Sequence, residues 1–175
     1  MFDFTVGLST IPPRFRDAEP DVELSATLLW GVDLHIIGRT GTGKSTTACA
    51  ILKGIYELNP RLNVGYINAY DLQEARLNDE WRQQEARLYD VDALAIDGID
   101  IGLTSAEGYE ALHRVLKRRY PASKHTITTS FGDGNELIAR MSRFSTNDLA
   151  RAITGRIQEL SEVLNLYGPD RRLLS

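Results

Sequence analysis

The sequence predicts an α/β fold: a doubly wound, mainly parallel sheet of about five strands with helices on both faces. Short apolar, β-branched runs recur between stretches of helical spacing. One of them, "VDALAID" (91–97), is apolar without polar alternation, as expected of a strand covered on both faces. A glycine-rich loop joins the first strong run to the first strong helix. Strands that alternate with helices return by crossover and lie parallel, which puts a ligand at their carboxyl ends.

Each element has its own warrant. "VDLHIIG" (32–38) is a short strand closed by glycine, and "KSTTACAILKGIYELNP" (44–60) carries helical spacing until Asn59-Pro60 stops it. "NVGYIN" (63–68) is the next strand. Asp71 with Glu74 forms a capping box for a polar helix over 72–88. After the central strand, Thr104 with Glu107 caps a helix running to about Arg119, and Pro121 ends it. "HTITTS" (125–130) supplies a β-branched strand. Helices near 135–143 and 147–160 follow, then a short last strand, "VLNLY" (163–167). Residues 1–28 hold three of the six prolines and show no clear periodicity, so they are expected to form an extended lead-in packed on a single domain over 29–175.

Composition narrows the function. A chain of 175 residues, 42% apolar and 25% charged, suits one compact domain burying roughly 70% of its unfolded surface. One cysteine excludes an internal disulfide, and no apolar run approaches the roughly 20 residues of a membrane span. Met1-Phe2-Asp3 lacks the basic start of an export signal, so a cytoplasmic location is expected. The net charge of −4 is uneven: residues 1–109 hold 9 Lys/Arg against 17 Asp/Glu, and residues 110–175 hold 11 against 7. That skew permits a local contact with single-stranded DNA through Arg114, Lys117, Arg118 and Arg119, while a solvated helix face explains the same residues.

The chemistry concentrates in "GRTGTGKST" (38–46), which matches G-x-x-x-x-G-K-[ST] through Gly38, Gly43, Lys44 and Ser45. Backbone amides must converge on phosphate oxygens there, and side chains at Gly38, Gly41 or Gly43 would obstruct them. Arg39, Thr40 and Thr42 complete the loop. Lys44 brings a point charge to the outer phosphates, and Ser45 offers a hydroxyl to Mg²⁺. The amides of Ser45 and Thr46 open a helix whose positive end favours anions. Cys49 reads as a small buried side chain, and His35, His113 and His125 show no metal-ligand spacing.

In "LAIDGID" (94–100), Asp97 ends the apolar strand and is positioned to hold Mg²⁺ opposite Ser45, unless it merely caps the strand. The position that would supply a water-activating carboxylate is Gly98. Asp100 is the nearest replacement; along an extended strand it would lie about 6.5 Å further on, so it serves only if the segment curls back. Tight nucleotide binding with slow hydrolysis is therefore expected. No Asn/Thr-Lys-x-Asp guanine reader occurs, which favours adenine.

Several segments, in this order, carry a resemblance: "STIPPRFRDA" (9–18), the phosphate loop, "YDL" (70–72), "LAIDGID", "TITTS" (126–130) and "RIQELSEVLNLYGPDRR" (156–172). Together they resemble the AAA+ domain of DnaC/DnaI-type bacterial helicase loaders and the related IstB transposition helpers. The resemblance implies a P-loop ATP- or ADP-binding protein of bacterial or phage origin that self-associates, contacts single-stranded DNA and serves a replicative helicase or transposase. It implies a trans-acting arginine at Arg156, with Arg151 second, and a nucleotide-sensing arginine at Arg171 or Arg172. It also implies an adenine flanked by Ile11, Pro12 and Phe15. Two departures weaken hydrolysis: Gly98, and Ser130-Phe131 where a polar sensor ends the fourth strand. A P-loop phosphotransferase on a small metabolite and a non-hydrolysing nucleotide-bound adaptor are the alternatives.

Overall fold

A computed structural model describes residues 7–77 and 81–170. Its five strands are β1 (Asp33–Gly38), β2 (Val64–Asn68), β3 (Ala93–Asp97), β4 (His125–Ser130) and β5 (Ser161–Leu166). They form one sheet in the order β2-β3-β4-β1-β5, every pairing parallel. The expected fold class is therefore the observed one. β3 is an interior strand between β2 and β4, and it is buried as its unbroken apolar run requires, while the middle of the sheet, where β3 was expected, is taken by β4. The carboxyl ends of β1, β3 and β4 come side by side, because Ile37 pairs with Ser130 and Ile96 with Thr128.

The helices α1 (Val22–Leu29) and α2 (Lys44–Leu58) cover one face; α3 (Ala69–Leu77), α4 (Trp81–Asp90), α5 (Ala106–Arg119), α6 (Gly134–Met141) and α7 (Asn147–Leu160) cover the other. Strand alternation divides the core: Leu34, Ile36, Tyr66 and Ala95 face α2, whereas Ile67, Leu94 and Ile96 face α3 and α5. Ile51 and Leu52 of α2 are fully buried, so truncating either to alanine costs about 2–5 kcal/mol. None of the described helices is long and apolar enough to cross a membrane.

Several local expectations are corrected. The lead-in carries a helix, α1, whose N-cap Asp21 accepts from the Leu24 amide at 3.0 Å. It also closes an edge: the Gly7 amide donates to the Val64 carbonyl (2.7 Å), and Thr10 Oγ1 accepts from the Tyr66 amide (3.0 Å). The outer side of β2 thus gains partners it would otherwise lack. The helix expected over 72–88 is two helices, α3 and α4. Asn68, at the end of β2, accepts the Asp71 amide (2.9 Å), so the cap lies three residues earlier than the Asp71–Glu74 pairing implies. Ser105 caps α5 in place of Thr104, accepting the Gly108 amide at 3.1 Å.

Arg119, expected on a DNA-facing surface, is fully buried. Its guanidinium donates to the carbonyls of Leu88 (2.7 Å), Val91 (2.9 Å) and His125 (2.6 Å) and to Thr126 Oγ1 (3.1 Å). It ties α4 and α5 to the start of β4 and is closed to any phosphate. Helical periodicity is the reason: Leu112, Val115, Leu116 and Arg119 share the inward face, while Arg114, Lys117 and Arg118 point outward.

Candidate functional site

The phosphate loop runs from the end of β1 to the start of α2, with Gly43 as the N-cap of α2. Thr42 turns inward, its hydroxyl donating to the Arg39 carbonyl at 2.9 Å, while Arg39 and Thr40 are exposed at the tip. Lys44 Nζ donates to the carbonyls of Gly38 (2.6 Å) and Arg39 (3.0 Å), so its charge stands in the mouth of the loop. Partial burial holds its ammonium below the usual lysine range, against the opposing pull of Asp100 and Asp97. Gly41 is needed for close approach: its φ is +79°, and a Cβ there would lie 1.8 Å from Asp170 Oδ1. The segment after β5 thus comes down on the loop.

The loop opens into a cavity of about 520 Å³ lined by Gly41, Gly43, Lys44, Ser45 and Thr46 from one side and Asp97, Gly98, Asp100 and Thr129 from the other. That volume lies within the usual range for small-molecule sites. Arg14 and Phe15 reach it from the lead-in, and Ile101 and Phe131 complete its wall. Asp97 is the hub. Its Oδ2 accepts from Ser45 Oγ (2.7 Å) and from Tyr66 Oη (2.7 Å), and its Oδ1 accepts from Thr129 Oγ1. Burial and the Asp97 charge push the Tyr66 phenol far above its ordinary range, so it remains a donor.

These residues fit a magnesium nucleotide. Ser45 Oγ and Asp97 Oδ2 are already in contact, a hydroxyl and a carboxylate oxygen of the kind Mg²⁺ takes alongside phosphates and water. Among the described residues no cluster of three His, Cys, Asp or Glu side chains forms a protein-only metal site. Magnesium in such a site needs none, since the phosphates supply ligands.

The missing acid has a structural explanation. Gly98 adopts φ +73°, a left-handed conformation that turns the chain sharply out of β3. Its carbonyl accepts the amides of Ile101 (3.2 Å) and Gly102 (2.8 Å), its own amide donates to Thr129 Oγ1 (2.8 Å), and the Ile99 amide donates to the Thr129 carbonyl (3.0 Å). The segment curls back, and Asp100 lines the same cavity as Lys44 and Asp97. Asp100 Oδ2 accepts the Phe131 amide at 3.0 Å and lies 3.7 Å from Arg140 Nε.

Other expected residues are placed elsewhere. Arg156 stacks over Tyr120 (5.5 Å) near Asp33, Thr126 and Ser161, at the amino ends of the strands and away from this cavity. Arg151 is exposed on α7. Arg171 and Arg172 lie outside the described residues. Ile11 is buried in the core against α2, Pro12 does not line the cavity, and Phe15 does, packed on Tyr66 with ring centroids 6.5 Å apart. Ser130 turns away, donating to the Gly132 carbonyl and meeting His35 Nε2 (3.0 Å); Thr129 is the polar group facing Asp97. Cys49 is buried, and burial pushes its thiol up to about 12.

Sequence reasoning missed Arg14, Tyr66, Thr129 and Arg140. Strand register is the one signal that could have found Thr129, since pairing Ile96 with Thr128 sets Asp97 beside residue 129. Nothing local distinguishes the other three.

No protein-family model matches the sequence, and no curated protein matches it either. Solved structures do match in three dimensions. DnaI covers 92% of this chain and 94% of its own, at 18% identity and TM-score 0.69. The DnaC helicase loader matches at 22% identity and TM-score 0.66, covering 89% of this chain and 100% of its own. Domain III of the Thermotoga maritima replication initiation protein DnaA matches at 18% identity and TM-score 0.64, over 85% of this chain and 63% of that one. This chain thus has the fold shared by DnaI, the DnaC helicase loader and domain III of DnaA.

Proposed function

We propose that this chain binds ATP, with Mg²⁺, in the cavity between the phosphate loop and Asp97, and that it serves DNA replication or transposition as a loader-like AAA+ protein with slow hydrolysis. The Ser45–Asp97 hydrogen bond carries the reading, because it brings two strand-end loops together as an oxygen pair at the mouth of a glycine loop. The magnesium supplies charge neutralisation at the outer phosphates. The chain's own groups do the rest: the loop amides bind phosphate, Lys44 neutralises it, Thr129 and Tyr66 orient Asp97, and Arg14 and Phe15 line the outer wall.

The likeness to DnaI and the DnaC helicase loader supports a replicative helicase as partner, and a transposase is the alternative that the sequence resemblance implies. A DnaA structure with AMPPCP and single-stranded DNA supports adenine nucleotide and DNA contact. Arg114, Lys117 and Arg118 are the exposed cations on α5 for that contact, with Arg118 over Tyr89 (5.2 Å). Arg156, remote from its own phosphate loop, suits a neighbouring subunit's nucleotide in a self-associated form. Cytoplasm is the corresponding location.

Calorimetry with ATP and Mg²⁺ tests the binding reading. Wild type gives a saturable signal that Lys44→Ala and Asp97→Ala each weaken at least tenfold. Absence of any signal with wild type refutes it. Loss of nucleotide-dependent assembly in Arg156→Ala, with binding intact, tests the trans role.

A further inference from the structure

Asp100 is the anomaly of the cavity. Its side chain is 1% exposed, yet Oδ1 has no hydrogen-bond partner. A buried carboxylate oxygen without a donor is costly, and it persists where a ligand or a reacting group supplies the donor. Oδ2 is fixed by the Phe131 amide and braced by Arg140, which stacks on the Phe131 ring (Cζ 4.5 Å from the centroid) and also bonds Glu136 (2.9 Å). Lys44 stands over the same ring at 5.5 Å. The carboxylate is therefore held by one edge with its other oxygen free, beside the lysine that marks the outer phosphates.

We infer that Asp100 holds the attacking water, with Arg140 as its positioning residue, and that the Gly98 turn exists to bring it there. The inference rests on the ATP-binding reading above. In the step, the water oxygen forms a bond to the γ-phosphorus and its proton passes to Asp100 Oδ1. The bond from that phosphorus to the β,γ-bridging oxygen breaks, and ADP leaves with the electron pair.

Three charged or titratable groups face Asp100: Lys44 from α2, Arg140 from α6 and the Tyr109 phenol from α5. Burial raises the Asp100 carboxyl above the ordinary aspartate range, against the opposing pull of the Phe131 amide, Asp100's own amide and then the charges of Arg140 and Lys44. Turnover requires the deprotonated acid, so it rises with pH through the Asp100 titration. Removing Arg140 moves that limb upward. Tyr109 Oη is buried and also has no partner, which makes it the competing donor for Oδ1.

The test uses the full chain, with ATP affinity, single-turnover hydrolysis and thermal melting measured in parallel, with and without single-stranded DNA. Asp100→Asn is expected to bind ATP within about threefold of wild type and to lose turnover at least about 100-fold. Arg140→Gln shifts the acid limb of the rate profile to higher pH, and Arg140→Lys restores it. Tyr109→Phe leaves turnover unchanged. Wild-type binding without turnover, or equal turnover in wild type and Asp100→Asn, overturns the inference and leaves ATP binding standing. Turnover lost equally in Tyr109→Phe assigns Oδ1 to the core and overturns it too. No ATP binding by wild type removes the underlying reading and this inference with it.

Discussion

Arg119→Ala separates a buried tether from a surface cation. The guanidinium serves three backbone carbonyls and one hydroxyl inside the protein. Deleting it leaves the carbonyls of Leu88, Val91 and His125 without that donor, at about 1–3 kcal/mol each. The net loss falls at the lower end of that sum, about 3–4 kcal/mol, since the substitution also relieves the desolvation that pulls the guanidinium down to about 10. For a chain of this size 1 kcal/mol corresponds to roughly 2–4 °C, so Tm falls by roughly 6–16 °C. Arg119→Lys recovers only part of this, because an ammonium cannot fork between carbonyls on two elements. Urea unfolding and circular-dichroism melting read the effect. Arg118→Ala on the neighbouring exposed position costs no more than about 1 kcal/mol. An Arg119→Ala protein within 1 kcal/mol of wild type, or one equally stable but impaired only in binding single-stranded DNA, refutes the reasoning.

Tyr66→Phe removes one of the two hydroxyls on Asp97 Oδ2, and the magnesium concentration that half-saturates nucleotide binding is expected to rise about tenfold, with magnesium-free binding unchanged; an unaltered magnesium titration counts against a role for Tyr66. At Gly98 the added Cβ meets only Ile101 at 3.4 Å, so cost follows backbone conformation alone: Gly98→Asn is milder than Gly98→Ala, at about 1–2 kcal/mol, and Gly98→Val is worse. An inverted order in urea melts excludes the left-handed turn. On β1, burial raises Asp33 to about 6 and lowers His35 to about 4. Asp33 stability is full below pH 3.8 and lost as pH rises through 6, whereas His35 stability is full above 6.5 and lost as pH falls through 4, so the two oppose each other between about 4 and 6. Asp33→Asn leaves the His35 contribution alone, and its stability should climb with pH by up to about 1.4 kcal/mol per unit across that window; a slope equal to wild type contradicts the assignment.

The phosphate loop was legible because its chemistry is local: glycines for backbone approach, then lysine and serine at the mouth of a helix, all within nine residues. The alternation of strands and helices was legible for the same reason, since periodicity of 2 and of 3.6 needs only near neighbours. Even β4 and α7 keep the expected bounds, His125–Ser130 and Asn147–Leu160. What sequence alone misplaced depends on distant partners. Whether Arg119 faces water or three carbonyls is set by where α4 and β4 meet α5. Whether Asp100 reaches the cavity is set by a turn that Gly98 permits and that Thr129, thirty-one residues on, secures. Thr129 and Tyr66 become partners of Asp97 only when the sheet order places β2 and β4 on either side of β3. Local chemistry therefore determined that this chain has a glycine-rich loop between β1 and α2, and only the packing of the sheet decided which carboxylates and hydroxyls stand around it.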